Sequence, residues 1–579
     1  MKLSGAEILL RALELEGVDR IFGYPGGAVL DIYDRLPFSP LKHYLTRHEQ
    51  GAAHAADGYA RVTGKVGVCF ATSGPGATNL VTGLATAQID SVPIVAFTGN
   101  VPTFMIGNDA FQEVDTVGIT RPITKHNFLV KDVKELADTV KKAFYIAKTG
   151  RPGVVLVDLP KDVTRELTDF FEEEYKFPVQ IRSYKPVLKG HPGQIKRAAK
   201  AIASSEKPVL YIGGGVVSSG ASDLVVKLSE VANVPMTATL MGLSAVPGNH
   251  PFFLGMLGMH GTYAANMAIQ ESDLIVAIGA RFDDRVTGKL SEFAPNAKVI
   301  HIDIDSAEIG KNKPVDIPIV GDAKLVLEEL LPEVEKQVAK NREFYALREK
   351  WLLKVRSWAE RYPLWYEPSE RVIKPQFVIQ KIWEVTKGEA IVTTDVGQHQ
   401  MWVAQYYKLK FPRQLVTSGG LGTMGFGVPA AIGAKVGRPD KTVFCISGDG
   451  SFQMNMQEIV TAVQYNIPIK VGIINNGFLG MVRQWQGIFY QKNYSQVHLD
   501  VQPDFVKLVE SMGGVGFRAT KPQEVEQVLK EAMTINDRPV VIDFVVDREE
   551  DVYPMVPPGG ALHEMLLPTY GKKRERKAV

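Results

Sequence analysis

Two residues with oxygen-bearing side chains, each placed directly after an apolar run, carry the strongest chemical signal in the chain. Asp449 lies within Gly448-Asp449-Gly450, and Asn476 follows the next apolar run. Hard cations such as Mg²⁺ bind oxygen ligands and share them with phosphate oxygens, and a backbone carbonyl, here that of Phe478, can serve as a further ligand. Asp and Asn also cap helices, which would explain either turn alone. The pair at this spacing favours a metal-held diphosphate.

Glu49 is the second candidate for chemistry, and it lies far upstream, just before a run of mostly small residues from 51 to 58. An apolar pocket disfavours the charged form of a carboxyl group and keeps a proton available at neutral pH. A thiamin pyrimidine needs such a partner at its ring N1′, although an acidic residue also suits a plain helix N-terminus. Glu49 and Asp449 together predict thiamin diphosphate, with the reactive chemistry supplied by the cofactor.

Glycine-rich turns after apolar runs are the third feature. Pro25-Gly26 opens one of them, and Val396-Gly397-Gln398-His399 forms another. The segment 420–427 is richer still, and it carries the large side chain of Met424 between glycines. Such turns are weakly specific singly, but open α/β sheets bind ligands at the carboxyl ends of their strands. We predict that Met424 supports a bent cofactor, with tight helix packing as the alternative explanation of the glycines.

The middle of the chain carries a separate nucleotide signal. An acidic residue about 20 positions after a glycine turn is the usual ribose contact of a dinucleotide site, and Asp303 follows Gly279 at a similar offset. An arginine beside the glycine, here Arg281, suits a diphosphate. A surface ion pair between Arg281 and Asp283 is the alternative. We predict a second site here, for a dinucleotide.

Three blocks of alternating apolar runs and helical patterns must position these residues. Such alternation predicts βαβ units and hence parallel sheets covered by helices. We therefore predict an α/β protein with three doubly wound parallel-sheet domains, at 1–165, 190–335 and 368–550, and a C-terminal tail over the active site at 551–579. The segment 164–189 is interpreted as a linker, and 333–367 as a charged helical connector.

Composition indicates an ordinary globular protein of several domains. The chain has 579 residues, of which 45% are hydrophobic and 22% charged, with a formal net charge of +2. This balance gives no electrostatic case for nucleic acid, and no membrane-spanning run is expected. Cys69 and Cys445 lie in apolar runs and fit free thiols in a reducing compartment. Without a signal or transit peptide, a cytoplasmic location is expected.

Several stretches closely resemble the catalytic subunits of the acetohydroxyacid synthase (acetolactate synthase) family of thiamin-diphosphate enzymes. The resemblance covers nearly the whole chain, from Tyr24 to Gly560. Its most specific stretches are Arg47-His48-Glu49-Gln50, Asp109-Ala110-Phe111-Gln112-Glu113, Leu159-Pro160-Lys161-Asp162, Arg281-Phe282-Asp283-Asp284-Arg285 and Met481-Val482-Arg483-Gln484-Trp485. The family implies a pyrimidine-binding domain, a central FAD-binding domain and a diphosphate-binding domain, in that order.

The resemblance implies a role for each matching position. Glu49 activates thiamin diphosphate, Met424 supports the bent cofactor, and Trp485 shapes the pocket for the second 2-keto acid. The implied Mg²⁺ ligands are Asp449, Asn476 and Phe478, and the other implied catalytic or channel residues are Phe111, Gln112, Lys161 and Met481. The remaining implied thiamin diphosphate contacts are Pro25, Gly26, Val396, Gln398, His399, Gly422, Gly448, Gly450 and Ser451. The implied FAD contacts are Arg151, Gly213, Gly214, Gly215, Thr239, Leu240, Met241, Gly258, His260, Gly279, Arg281, Asp283, Arg285 and Asp303.

The implied activity is decarboxylation of pyruvate and ligation of the remaining two-carbon unit to a second 2-keto acid, in valine, leucine and isoleucine synthesis. Pyruvate as acceptor gives 2-acetolactate, and 2-ketobutyrate gives 2-aceto-2-hydroxybutyrate. The resemblance also implies a homodimer or higher homo-oligomer, with Glu49 and Asp449 supplied by different copies, and a small regulatory subunit is typical of the family.

Three other functions stay open from the sequence. An FAD-dependent pyruvate oxidase of the same architecture is the main alternative, and the stretch 281–284 with Trp485 favours the synthase over it. A glyoxylate carboligase would lack the activating glutamate, so Glu49 argues against that enzyme. A non-catalytic paralogue would not need Glu49, Asp449 and Asn476 together.

Overall fold

A computed structural model of the chain describes residues 2–341 and 344–569, so the last part of the predicted tail, 570–579, lies outside it. Within these residues there are three six-stranded sheets, one in each predicted block, and the paired strands in all three run parallel. This confirms the predicted fold class, an α/β protein with three parallel-sheet domains. Over the same ranges, no helix is both long enough and apolar enough to cross a membrane.

The first domain alternates strands and helices from its start. In chain order it comprises β1 (Lys2–Ser4), α1 (Gly5–Leu15), β2 (Arg20–Gly23), α2 (Leu30–Arg35), β3 (Lys42–Leu45), α3 (Glu49–Thr63), β4 (Gly67–Ala71), α4 (Pro75–Asn79), α5 (Val81–Ile89), β5 (Ile94–Asn100), α6 (Thr116–Thr120), β6 (His126–Leu129), α7 (Leu136–Lys148), β7 (Val154–Pro160), α8 (Lys161–Arg165), β8 (Leu167–Asp169) and α9 (Glu172–Tyr175). Its parallel sheet has the order β3-β2-β4-β5-β7-β6, and β1 pairs antiparallel with β8. Strands β4, β5 and β7 are buried along their whole length, as expected where helices cover both faces of a parallel sheet.

The central domain repeats this architecture. It comprises α10 (Pro192–Ser204), β9 (Pro208–Ile212), α11 (Gly214–Ser219), α12 (Ser222–Ala232), β10 (Met236–Ala238), β11 (Phe253–Met256), α13 (Tyr263–Gln270), β12 (Leu274–Ile278), α14 (Asp284–Thr287), β13 (Lys298–Asp303), β14 (Ile317–Val320), α15 (Ala323–Val338) and α16 (Phe344–Arg361). The strand order is β11-β10-β9-β12-β13-β14. Helix α16 lies in the segment interpreted as a connector, yet it packs on this domain, where Trp351 Nε1 donates a hydrogen bond to the Pro208 carbonyl at 3.1 Å.

The third domain is the last of the three. It comprises α17 (Pro375–Val385), β15 (Ile391–Thr394), α18 (Gln398–Tyr406), β16 (Leu415–Val416), α19 (Gly427–Gly437), β17 (Val443–Gly448), α20 (Asp449–Asn455), α21 (Glu458–Gln464), β18 (Lys470–Asn475), α22 (Gly480–Phe489), α23 (Phe505–Ser511), β19 (Val515–Ala519), α24 (Pro522–Thr534) and β20 (Val540–Val545). The strand order is β16-β15-β17-β18-β20-β19. Because β17 and β18 are parallel neighbours, the residues that follow them emerge at the same edge of the sheet.

The first and third domains meet through two helices of small residues, α3 and α19. A Cβ on Gly58 would overlap the carbonyl of Ala430, and a Cβ on Gly433 would overlap the carbonyl of Ala55. The two helix backbones therefore approach so closely that only glycine fits at these positions. This contact accounts for the small residues that follow Glu49 in the sequence, and it places that helix against the third domain.

The described part of the tail, 551–569, lies against the central domain. The Val556 N–H donates to the Met259 carbonyl at 2.8 Å, and the Lys289 N–H donates to the Gly560 carbonyl at 2.9 Å. His260 Nδ1 lies 3.2 Å from the Pro554 carbonyl oxygen. The tail therefore borders the segment that carries His260, one of the predicted flavin contacts.

Candidate active site

Asp449 and Asn476 occupy the ends of two neighbouring strands. Asp449 is the first residue of α20, directly after β17, and Asn476 directly follows β18. Asp449 Oδ2 accepts hydrogen bonds from the Gly477 N–H at 3.0 Å and from Gln502 Nε2. The Phe478 N–H donates to Asn476 Oδ1 at 3.0 Å. The three predicted metal ligands thus lie within one turn region. These three residues and the residues that contact them are called here the diphosphate end.

Burial defines the electrostatics of the diphosphate end. Only 1% of Asp449 is exposed, and burial raises the pKa of its carboxyl to about 6 despite the hydrogen bonds it accepts. A carboxylate in such surroundings is stabilised by a nearby cation. The candidate ligand set, a carboxylate, an amide oxygen and a backbone carbonyl, is the oxygen-only chemistry that Mg²⁺ prefers. The residues present therefore fit a divalent cation.

Gln398 and His399 open α18 beside these residues. Asn476 Nδ2 donates to Gln398 Oε1 at 3.2 Å, and a Cβ on Gly448 would lie 3.0 Å from the His399 ring. Burial lowers the pKa of His399 to about 3, so the ring is neutral. His399 Nε2 is buried and has no hydrogen-bond partner within the described part of the chain. A buried polar atom without a partner is costly, and a bound diphosphate beside Gly448 would be placed to satisfy it.

The glycine-rich segment brings Met424 to this end of the sheet. A Cβ on Gly450 would lie 3.8 Å from Met424 Cε, and a Cβ on Gly422 would lie 3.8 Å from Val396. Ser451 Oγ donates a hydrogen bond to the Val396 carbonyl at 3.2 Å. The structure thus brings Val396, which follows β15, and the glycine segment close to the start of α20, and this arrangement leaves room for a cofactor at that turn.

A cavity of about 900 Å³ extends from the glycine segment into the central domain. Among its lining residues are most of the predicted flavin contacts, namely Arg151, Gly213, Gly214, Gly215, Thr239, Leu240, Met241, His260, Gly279, Arg281, Asp283, Arg285 and Asp303. It is also lined by Val396, Gly422, Met424, Met481 and Trp485 of the third domain. Two groups predicted for different cofactors therefore share one cavity.

Glycines shape the central-domain side of this cavity. A Cβ on Gly213 would overlap the Gly279 carbonyl, and Gly279 has a φ of +56°, which favours glycine. Asp303 ends the neighbouring strand β13, and burial raises the pKa of its carboxyl to about 6. A glycine turn that leaves the backbone open to a ligand, with an acidic residue on the neighbouring strand, fits a dinucleotide. Gly258 lies close by, with its N–H and carbonyl bound by the Asn266 side chain at 2.9 and 3.0 Å.

Glu49 is the first residue of α3, and only 8% of it is exposed. Asn79 Nδ2 donates a hydrogen bond to Glu49 Oε2 at 2.9 Å. A Cβ on Gly76 would lie 3.2 Å from Glu49 Oε1, so glycine leaves space beside the carboxyl group. A Cβ on Gly26 would collide with Thr72, whose side chain also borders Gly76. Glu49 thus has one side-chain hydrogen bond and an open, glycine-lined side, which suits a flat ring.

The predicted channel residues lie near this second cluster, called here the pyrimidine end. Lys161 Nζ donates to the Gly27 carbonyl at 2.9 Å, next to the predicted contacts Pro25 and Gly26. A Cβ on Gly74 would lie 2.8 Å from the Gln112 carbonyl oxygen, and Gln112 itself has a φ of +58°. Phe111 is 89% exposed. Gly26, Gln112 and Lys161 therefore lie near the glycine turns beside Glu49, and they do not line the cavity described above, unlike Arg151 of the same domain.

Some residues at the two ends were not singled out from the sequence. The sequence pattern predicts Asn79 only as the start of a helix over 79–88, whereas in the structure Asn79 ends α4 and donates to Glu49. Gln502 lies in a loop with no motif of its own, yet its amide donates to Asp449. The closeness of Asn79 to a second glycine turn, 73–76, was the available signal for it. For Gln502 we find no such signal.

Protein-family comparisons match each of the three domains. The N-terminal TPP binding domain of thiamine pyrophosphate enzymes matches residues 3–119, the central domain of those enzymes matches 195–330, and their C-terminal TPP binding domain matches 395–544. The chain therefore belongs to the thiamine pyrophosphate enzymes, and thiamin diphosphate is its cofactor.

Comparison with similar proteins indicates which thiamine pyrophosphate enzymes the chain resembles. The chain is 51% identical over 569 residues to the acetolactate synthase large subunit of Haemophilus influenzae, covering 98% of both chains. It is 50% identical over 570 residues to the acetolactate synthase isozyme 3 large subunit of Escherichia coli, again covering 98% of both. It is 52% identical over 574 residues to the probable acetolactate synthase large subunit of Methanocaldococcus jannaschii, covering 98% of this chain and 95% of that one. The chain belongs to the acetolactate synthase large-subunit family.

Proposed function

We propose that the chain decarboxylates pyruvate and joins the remaining two-carbon unit to a second 2-keto acid, as an acetolactate synthase in branched-chain amino acid synthesis. The observation that carries this proposal is the cavity in which Met424, Met481 and Trp485 stand beside the diphosphate end. Full-length similarity to acetolactate synthase large subunits supports the choice of reaction.

The diphosphate end holds the cofactor in place. Asp449, Asn476 and the Phe478 carbonyl would bind Mg²⁺, which shares its coordination sphere with phosphate oxygens. His399 Nε2, buried without a partner among the described residues, would face the diphosphate. When bound, thiamin diphosphate supplies the carbon nucleophile that attacks the keto acid. The chain's part at this end is to fix the cofactor's charge and position.

The proposed role of the pyrimidine end is to hold a proton beside the pyrimidine ring of the cofactor. Glu49 would hold a proton at its carboxyl group against the pyrimidine nitrogen, while Asn79 fixes the second carboxyl oxygen. Lys161 and Gln112, on the same side of the first domain, would line the path of the substrate. General acid–base help of this kind typically contributes ~10²–10⁴-fold to a rate. Glu49 is therefore the residue whose proton the reaction depends on most.

Trp485 and Met481 shape the acceptor's pocket. Both project from α22 into the cavity, and the Arg285 guanidinium lies 5.8 Å from the centroid of the Trp485 ring. An aromatic wall beside a cation suits a small acid that carries a short alkyl group and a carboxylate. The size of the Trp485 ring would then decide between pyruvate and 2-ketobutyrate as acceptors.

We assign FAD to the central-domain part of the cavity. The glycine cradle at Gly213 and Gly279, with Asp303 on the next strand, supports a dinucleotide there. In the synthase the flavin would do no net redox work. The same cavity joins the flavin residues to Met424, and that continuity is what keeps an FAD-dependent pyruvate oxidase as the second candidate.

A second copy of the chain would complete the site. Glu49 and its neighbours do not line the cavity of their own chain, so we propose a homodimer or higher oligomer in which the pyrimidine end of one copy meets the diphosphate end of another. The exposed rings of Phe38, Phe104 and Phe111 on the first domain support a covered surface there. The relatives are named large subunits, so a small regulatory subunit is a further proposed partner.

One assay separates the candidate functions. The purified protein is incubated with pyruvate, thiamin diphosphate, Mg²⁺ and FAD, and acetolactate, acetate and reduction of an added electron acceptor are measured together. We expect acetolactate with no acceptor reduction. Acetate with acceptor reduction would establish the oxidase instead, and absence of all products would point to a non-catalytic chain.

A further inference from the structure

The glycine segment 418–427, called here the Met424 loop, is anchored by a carboxylate at its C-terminal end. The N–H groups of Gly425 and Gly427 both donate to Asp395 Oδ1, at 2.7 and 3.1 Å. Asp395 directly follows β15 of the same domain and is fully buried. This anchor fixes the loop to its own sheet, as expected of a buried acceptor that bonds two backbone amides.

A second carboxylate, from a different domain, anchors the other end of the Met424 loop. The Gly419 and Gly420 N–H groups donate to the two oxygens of Asp90, at 3.0 and 2.7 Å. Thr86, one turn earlier on α5, shares a hydrogen bond of 2.7 Å with Thr423. Met424 therefore stands between one anchor from the third domain and one from the first.

The charge of Asp90 is compensated inside the protein. Arg61 Nη2 donates to Asp90 Oδ2 at 2.9 Å and to Asp57 Oδ2 at 3.2 Å. The side chains of Arg61, Asp57 and Asp90 are 8%, 0% and 1% exposed. Burial opposes the charge of Arg61, but Asp57 and Asp90 outweigh it and raise the pKa of the guanidinium. This cluster is a buried, hydrogen-bonded network rather than a screened surface pair.

Asp90 stands where an acidic residue is not favoured by local structure. It is the C-terminal cap of α5, and the helix macrodipole disfavours negative charge at that end. Buried ion pairs are also poor sources of net stability, because desolvation offsets their attraction. The two amides of the Met424 loop and Arg61 together account for its presence there, and they point to a role in holding the loop.

The Met424 loop has little room to move between its anchors. A Cβ on Gly420 would lie 2.9 Å from Ile89, and a Cβ on Gly419 would collide with Met241, a predicted flavin contact. Asp90 and Met241 both line the cavity with Met424. A shift at the Asp90 anchor would therefore be passed on to Met424 rather than absorbed by the loop.

We propose that Asp90 is a positioning residue that fixes the Met424 loop against the bound cofactor from across the domain boundary. The proposal rests on the proposed function, in which Met424 supports the bent cofactor. The carboxylate oxygens of Asp90 bond Arg61 and the loop amides, so the proposed role is to hold the loop rather than to act on cofactor or substrate. Asp90 acts through the Gly419 and Gly420 amides, and the hydrogen bond from Arg61 orients its carboxylate.

The test compares Asp90→Asn with Asp57→Asn. Each substitution replaces a carboxylate that bonds Arg61 with an amide. Of these two aspartates, only Asp90 bonds the Met424 loop among the described residues. Backbone hydrogen–deuterium exchange of the segment 417–427 is measured without cofactor, at a temperature where both variants are folded. We expect exchange in Asp90→Asn to be faster by ~10-fold or more, because an amide leaves one loop N–H without an acceptor, and Asp57→Asn to match the wild type there.

Kinetics give the second readout. In Asp90→Asn we expect kcat with pyruvate to fall by ~10–100-fold, the usual cost of a displacement of about 1 Å at a reacting group. The half-saturating concentration of thiamin diphosphate should change by no more than ~3-fold, because the diphosphate end and its metal site are untouched. If Asp90→Asn does not fold, Thr86→Val serves instead, and it should show the same two changes at smaller size.

The outcomes separate the proposal from the function it rests on. A wild-type chain that makes no acetolactate would refute the proposed function, and the exchange measurement would still test the anchor. With an active wild type, exchange and kcat that are equal in Asp90→Asn and Asp57→Asn would overturn the proposal. Faster loop exchange with lower kcat in Asp90→Asn alone would support it.

Discussion

The diphosphate end is built within the third domain, whereas the pyrimidine end is held by residues of both the first and the third domains. Asp449 and its neighbour Gly477 are bonded 28 positions apart, within one βαβ unit. Glu49 instead depends on glycine turns and on Asn79, 30 positions away in another helix. The buried Glu458 of the third domain accepts hydrogen bonds from the N–H groups of Arg47 and His48, just before Glu49, at 2.9 and 3.1 Å. The diphosphate end is a compact motif of one domain, and the pyrimidine end lies where the first and third domains are in contact.

The two carboxyl groups also differ in their surroundings, which fits their different tasks. Asp449 is enclosed by several donors, and burial raises its pKa to about 6, so a divalent cation would stabilise its charged form. Glu49 has one side-chain partner and a glycine-lined open side. The difference fits the proposed tasks, in which the diphosphate end would bind the cofactor through a metal and the pyrimidine end would present a single carboxyl group to a ring.

Removing the proposed metal ligand should have the largest effect. In Asp449→Asn the charged ligand is lost, and since even outer partners of metal ligands are worth ~10–100-fold in affinity, we expect the affinity for thiamin diphosphate with Mg²⁺ to fall by more than ~100-fold. Titration calorimetry checks this. Asp500→Asn, at an exposed neighbouring position, is the control and should bind normally. Normal binding by Asp449→Asn would remove Asp449 from the metal site.

Glu49→Gln tests the other half of the comparison. Glutamine keeps the shape and the acceptor for Asn79 but cannot supply a proton, so kcat should fall by ~100-fold or more. Thiamin diphosphate affinity should stay close to that of the wild type, in contrast to Asp449→Asn. Steady-state kinetics with a binding titration check both parts, with the exposed Glu173→Gln as control. An unchanged rate would exclude Glu49 from the mechanism.

Trp485→Leu should have the smallest effect, because it changes selectivity rather than catalysis. An apolar pocket contact is worth ~10-fold or more between acceptors that differ by one methylene, so the preference for 2-ketobutyrate over pyruvate should fall by that factor. Product ratios in a two-acceptor competition measure it. Tyr345→Leu, at an exposed position of α16, should leave the ratio unchanged. The same ratio in both variants would contradict the role of Trp485.

Local features of the fold were predictable from the sequence. The spacing of Ser4 and Glu7 predicts a capping box, and this box forms at the start of α1. Gly64 ends α3 in the left-handed conformation, as a glycine after a helical run predicts. The apolar runs became the strands of three parallel sheets because their periodicity and flanking glycines are local signals. In place of a single helix over 79–88, which the sequence pattern predicts, the structure has α4 ending at Asn79 and α5 beginning at Val81. Asn79 lies at this break and bonds Glu49.

Contacts between distant segments were not predictable. Asp90 and Gly420 are 330 positions apart, and no spacing rule links an aspartate after one helix to a glycine loop in another domain. The only hint was an acidic residue at a helix C-terminus, which the macrodipole disfavours. The packing of α16 on the central domain was also not predictable. Its many charged residues indicate an exposed helix, although one face, which includes Trp351, is buried.

The central claim is that Glu49 of one copy and Asp449 of another form one site. The most direct measurement is the activity of mixed dimers, made by co-expressing Glu49→Gln and Asp449→Asn chains with different tags and purifying on both. Each mixed dimer would contain one intact and one doubly altered site, so we expect roughly half the wild-type activity per dimer. Activity no higher than that of the separate variants would show that both residues serve the same chain, and would contradict the account.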